Sequence, residues 1–108
     1  MAHEISEADW RIFRELHSIA LERFCQRVLS EVQGVISGND TNAHERYKAI
    51  YRLIQKRDRE MAEAFDNPRR SAALLQLVSI QSHDLLTQDE LVRFSVDIRE
   101  AIQSLKGF

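Results

Sequence analysis

Residues 6–38, SEADWRIFRELHSIALERFCQRVLSEVQGVISG, decide the fold. Ser6 is a good N-cap residue, and Glu7 and Asp9 place negative charge in the first turn, where the helix dipole favours it. Ile5 and Trp10 occupy the two positions of a hydrophobic staple. Apolar side chains then recur at Phe13, Leu16, Ala20, Phe24, Val28, Val32 and Val35, and the rhythm fades at Ser37-Gly38. Steps of three and four over this length predict one helix of roughly 45 Å.

The same helix is apolar on more than one side. A second seam runs through Leu21, Cys25, Leu29, Val32 and Ile36, and a third cluster forms at Ile12 and Ile19. Such a helix is either central in its own bundle or shared with a partner chain. Ile12, Ile19, Leu29 and Ile36 are therefore the candidate contacts of a protein partner, a homodimer being the simplest case because two-fold pairs are the commonest oligomers.

Downstream, Gly38-Asn39-Asp40-Thr41 reads as a turn. Asn42 and Glu45 are spaced like a capping box for a second helix, whose seam is Tyr47, Tyr51, Ile54, Asp58, Met61 and Phe65. Asn67 is expected to cap a third helix with Pro68 at its first position, where a missing N–H costs nothing. Leu74, Leu75, Leu77, Val78 and Ile80 give it a broad apolar surface. Thr87 and Glu90 form a capping box for a fourth, with Leu86 and Leu91 as staple and Phe94, Ile98, Ile102 and Leu105 on its core face.

The expected helices cover about 7–37, 43–65, 68–84 and 88–105, in a single domain. Their short connections predict an all-α, four-helix up-down antiparallel bundle with a long N-terminal helical hairpin. Three glycines and one proline are too few for strands joined by tight turns. The last two helices are also too short to cover the whole hairpin.

Composition narrows the function. A chain of 108 residues can bury a core without disulfides or metals. A net charge of −2 gives no bulk attraction to nucleic acid, so such binding needs a local patch. The lone Cys25 fits a reducing, cytoplasmic compartment, and the sequence starts without a signal-peptide pattern or any run long enough for a membrane span. No Glu-x-x-His, His-Glu-x-x-His or paired-cysteine motif is present, so no metal or cofactor is expected. His3, His44 and His83 fall near predicted helix ends.

Three constellations remain. Arg69 and Arg70 stand at a predicted helix start, where the dipole disfavours positive charge, although Asp66, Glu63 and Glu60 lie close enough to neutralise them. Lys48, Arg52, Lys56 and Arg59 recur at helical steps and form a basic stripe leading to that corner. Stripe and corner could meet an anion or nucleic acid, yet interleaved glutamates and the placement of Tyr47 and Tyr51 on the core seam favour a solvated face. His17 and Asp58 both lie on core seams. In a hairpin folded about Asn39-Asp40, residues whose numbers sum to about 80 lie opposite one another, which puts Asp58 one turn from His17. A His–Asp hydrogen bond there is either a satisfied core pair or a proton-handling pair, unless Asp58 reaches Arg23 instead. The leading expectation is a non-enzymatic, self-associating interaction or regulatory protein.

Overall fold

The computed structural model describes residues 5–39 and 41–106. These residues are all-helical, with no strand among them. Helix α1 spans Glu7–Ser37, α2 Ala43–Phe65, α3 Ala73–Ser82, α4 Gln88–Leu91 and α5 Val96–Lys106, with a 3-10 turn at Arg70–Ala72.

Local chemistry sets the hairpin. Ser6 Oγ accepts the Asp9 amide at 3.1 Å and starts α1. Asn42 Oδ1 accepts the Glu45 amide at 2.8 Å and starts α2. The Arg46 guanidinium donates to the carbonyls of Ile36 and Gly38, satisfying oxygens that the end of α1 leaves without helical partners. His3 and Asp40, read above as parts of a helix end and a turn, lie outside the described residues.

Phe13, Leu16, Ala20, Phe24 and Val28 form the buried ridge of α1. Against it pack Ala64 and Phe65 from the end of α2, Ala73, Leu77 and Ile80 from α3, and Phe94, Ile98 and Ile102 from the last segment. Aromatic rings tie this core together: Trp10 stacks on Phe13 at 5.5 Å, and Phe65 lies 5.9 Å from Phe24. All of these contacts gather around one end of the hairpin. The molecule is accordingly elongated, at 54 × 27 × 25 Å.

Three expectations about the second half require correction. Asn67 does not act as an extended N-cap: its φ is 51°, which turns the chain, and Arg69 beyond it is extended. No side chain caps α3, which begins only at Ala73 instead of at Pro68. Its far end stops at Ser82, short of residue 84, because Asp84 adopts a φ of 55°.

The expected fourth helix is two helices. Thr87 and Glu90 do form the capping box, with Thr87 Oγ1 accepting the Glu90 amide and Glu90 Oε1 accepting the Thr87 amide. The helix nevertheless stops after one turn at Leu91, and a new one starts from Ser95. Asp9 explains the break. Asp9 is 3% exposed, and its carboxylate accepts the Ser95 amide at 2.9 Å, the Ser95 hydroxyl at 2.7 Å and the Ser6 hydroxyl at 3.1 Å. These bonds pin the start of α5 to the start of α1. Helix α5 then packs mainly on α3.

Candidate functional site

The expected His17–Asp58 pair does not form. His17 Nε2 sits 2.9 Å from the carbonyl oxygen of Phe65, and its ring meets Phe65 edge-on at 5.3 Å. Asp58 is exposed. It follows Arg57, which faces α1 through Glu31, and one residue turns a side chain by about 100°. Arg23, the alternative partner of Asp58, is bound instead to both Glu90 oxygens at 2.7 and 2.8 Å and to the Leu85 carbonyl.

The arginine corner also divides. Arg70 Nε donates to the carbonyl of Ile5 at 2.8 Å, and its Nη1 reaches Glu7 at 3.1 Å, so this side chain anchors the first residues of the hairpin. Arg69 is exposed beside Glu63 and Asp66 along an open depression edged by Leu75. Glu60, expected to help neutralise the corner, is bound to Arg57 at 2.6 Å. In the basic stripe Lys48 is paired with Glu45 at 3.1 Å, whereas Arg52, Lys56 and Arg59 are exposed.

Sequence reasoning missed the roles of four arginines that hold the fold. Arg27 donates to the carbonyls of His83 and Asp84, closing the end of α3. Arg57 joins Glu31 and Glu60, while Arg93 grips both Glu15 oxygens and depresses that carboxyl's pKa. Arg23 and the Thr87 amide together push the Glu90 carboxyl down to about 2, against the opposing effect of burial. Each pair joins residues distant in sequence, apart from Arg57–Glu60, and only the three-dimensional register brings them together.

An open apolar surface lies on the hairpin itself. The seam expected to bury α2 is uncovered over its first half: Tyr47 is 71% exposed, Tyr51 59% and Ile54 41%. On α1, Leu29 is 63% and Ile36 49% exposed. The Glu31–Arg57 pair, with Nε–Oε1 and Nη2–Oε2 distances of 3.0 and 2.8 Å, marks where the two helices face. At 100° per residue, Leu29, Val32 and Ile36 stand about 100–160° around α1 from Glu31. Tyr47, Tyr51 and Ile54 stand about 60–120° around α2 from Arg57, in the same rotational sense. On antiparallel helices, rotation in the same sense leads to the same flank. Both rows therefore share one side of the hairpin.

The other side carries α3, reached by Arg27, and an open cleft of about 500 Å³ beyond it. Phe24, Val28 and His83 give this cleft an apolar floor, while Arg27, Arg57, Glu31 and Glu60 at its walls are engaged with one another or with backbone. Ile12 and Ile19, grouped above with Leu29 and Ile36, are not part of the uncovered flank. Ile12 packs against the core, and Ile19 stands about 80° around α1 from Leu29 and about 100° from Ile36. Among the described residues, no group of three or more His, Cys, Asp or Glu is placed to hold a metal ion. Nor is any described helix long and apolar enough to cross a membrane.

Fold and surface thus define an all-helical protein with one end of its hairpin uncovered. No protein-family model, curated protein or solved structure matches the chain.

Proposed function

We propose that this chain is a non-enzymatic interaction protein of a reducing, cytoplasmic compartment, and that the apolar flank of α1 and α2 is its docking surface. One observation carries the reading. Two exposed tyrosines and three exposed aliphatic side chains line a single flank, beyond the reach of the protein's own core. Contiguous apolar surface of this kind marks interaction sites, and tyrosine is enriched among the residues that dominate binding.

A tagged wild-type chain retained on a column is expected to hold partner protein that Tyr47→Glu/Leu29→Glu loses. Retention of the same proteins by both, or of none by wild type, would remove the reading.

A second reading has a specific observation in its favour. Tyr47 and Tyr51 are solvent-exposed next to Lys48 and Arg52, so α2 offers rings for stacking beside positive charge. Against it, Glu45 already holds Lys48, and the chain is net negative. Binding of a single-stranded oligonucleotide that weakens steeply with salt would favour this alternative.

A further inference from the structure

We infer that the occupant of the flank is the same flank of a second copy, which completes a four-helix bundle between two hairpins; this rests on the docking reading above. The flank's apolar side chains stand in two rows on antiparallel helices, Leu29 to Ile36 on one and Tyr47 to Ile54 on the other. A single partner helix covers the groove between such rows. Covering both rows requires a surface two helices wide, and this chain's own flank is one.

Area points the same way. With the exposures given, Leu29, Ile36, Tyr47, Tyr51 and Ile54 offer on the order of 500–600 Å² per copy. Doubled across a two-fold, with the half-buried Val32 and Ile50 and a polar rim that includes the exposed Asp58 one turn beyond Ile54, that reaches the range of about 1,200–2,000 Å² buried by stable interfaces. An isologous contact needs no second gene product, because one patch serves both sides.

Charge selects the axis. A two-fold perpendicular to the helices would lay α2 on α2 and bring the basic edges carrying Lys48, Arg52 and Arg59 together. A two-fold parallel to the helices lays α1 of each copy on α2 of the other, so these edges meet the uncharged Gln26 and Gln33. Heights along the hairpin are then preserved. The Arg46 bond to the Ile36 carbonyl and the Glu31–Arg57 pair fix the register. Ile36 of one copy thus falls level with Tyr47 and Tyr51 of the other.

Sedimentation equilibrium tests association. Wild type is expected at twice the chain mass at tens of micromolar, and Tyr47→Glu/Tyr51→Glu at the single mass with unchanged far-ultraviolet circular dichroism. Ile36→Arg, a single change at an exposed site, gives the same answer should the double variant fold poorly. Wild type at the single mass up to about a millimolar overturns the inference. Should such a monomer still retain protein that Tyr47→Glu/Leu29→Glu loses, docking stands and only the second copy falls; if nothing is retained, both fall. Cross-linking tests the axis in a Cys25→Ser background. Mixed Ile36→Cys and Tyr51→Cys chains are expected to form a mixed disulfide faster than Tyr51→Cys pairs with itself, and the reverse order overturns the parallel arrangement.

Discussion

Replacing Asp9 by alanine removes a buried carboxylate that joins the start of α1 to the start of α5. Its oxygens accept three hydrogen bonds, from the Ser95 amide, the Ser95 hydroxyl and the Ser6 hydroxyl. Hydrogen bonds to charged groups contribute about 1.5–3 kcal/mol each, but three on one side chain do not add fully. Ser95 is itself exposed, so water replaces part of what is lost. Asp9 also lies in the first turn of α1, where a negative charge contributes about 0.3–1 kcal/mol. We expect Asp9→Ala to cost about 3 kcal/mol and to lower Tm by about 15 °C for a chain of this size. Asp9→Asn keeps an acceptor for the Ser95 amide and offers its own NH2 to a serine hydroxyl, so its cost should be about 1 kcal/mol. Urea unfolding monitored by circular dichroism gives both values. A cost below 1 kcal/mol for Asp9→Ala would refute the assignment of the α4–α5 break to this carboxylate.

Three further outcomes follow from the ion pairs and the flank. Glu90 is depressed in the folded state from 4.5 to about 2, chiefly by Arg23, so its contribution is fully present above pH 4.5 and lost as pH falls toward 2. After discounting for the partial exposure of Arg23, Glu90→Gln should cost about 1–2 kcal/mol at pH 7. That difference from wild type should vanish in acid unfolding titrations near pH 2. Arg70→Ala should cost about 1–1.5 kcal/mol, because it removes the bond to the Ile5 carbonyl, while Arg69→Ala should stay within about 0.5 kcal/mol. Equal effects in thermal melts would contradict the division of labour at that corner. At concentrations low enough for wild type to be monomeric, Tyr47→Glu and Tyr51→Glu should leave the melting temperature within about 3 °C of wild type, since neither ring is among the side chains packed on the buried core.

Local signals in the sequence were sufficient for the starts of α1, α2 and α4. Ser6, Asn42 and Thr87 each accept the amide that their spacing implied. The ridge Phe13-Leu16-Ala20-Phe24-Val28 could be read from its steps of three and four because burial of one stripe is what a packed helix requires. Ser95 and Asp97 also carried a readable signal, a capping hydroxyl followed by an acid, but it was obscured by continuous apolar periodicity from Leu91 to Leu105. That Ser95 would act on this signal depended on Asp9, a residue distant in sequence and visible as a partner only in the fold. The seam of α2 was legible as apolar but not as exposed. Periodicity records which side chains share a face, whereas cover depends on how far α3 extends, and α3 is only 10 residues long. Asp58 shares that face, which is why placing it on a core seam led to a partner it does not have. The same reasoning separates Leu29 and Ile36 from Ile12, which the core absorbs.

A dilution series followed by NMR addresses the flank most directly, because it reports each position separately. From about a millimolar to a few micromolar, the methyl signals of Leu29, Ile36 and Ile54 and the ring signals of Tyr47 and Tyr51 are expected to shift together along one binding curve. Ile12 and Ile19, on other sides of α1, are expected to stay fixed. Shifts at Ile12 and Ile19 with a silent flank would place any contact elsewhere and contradict the account.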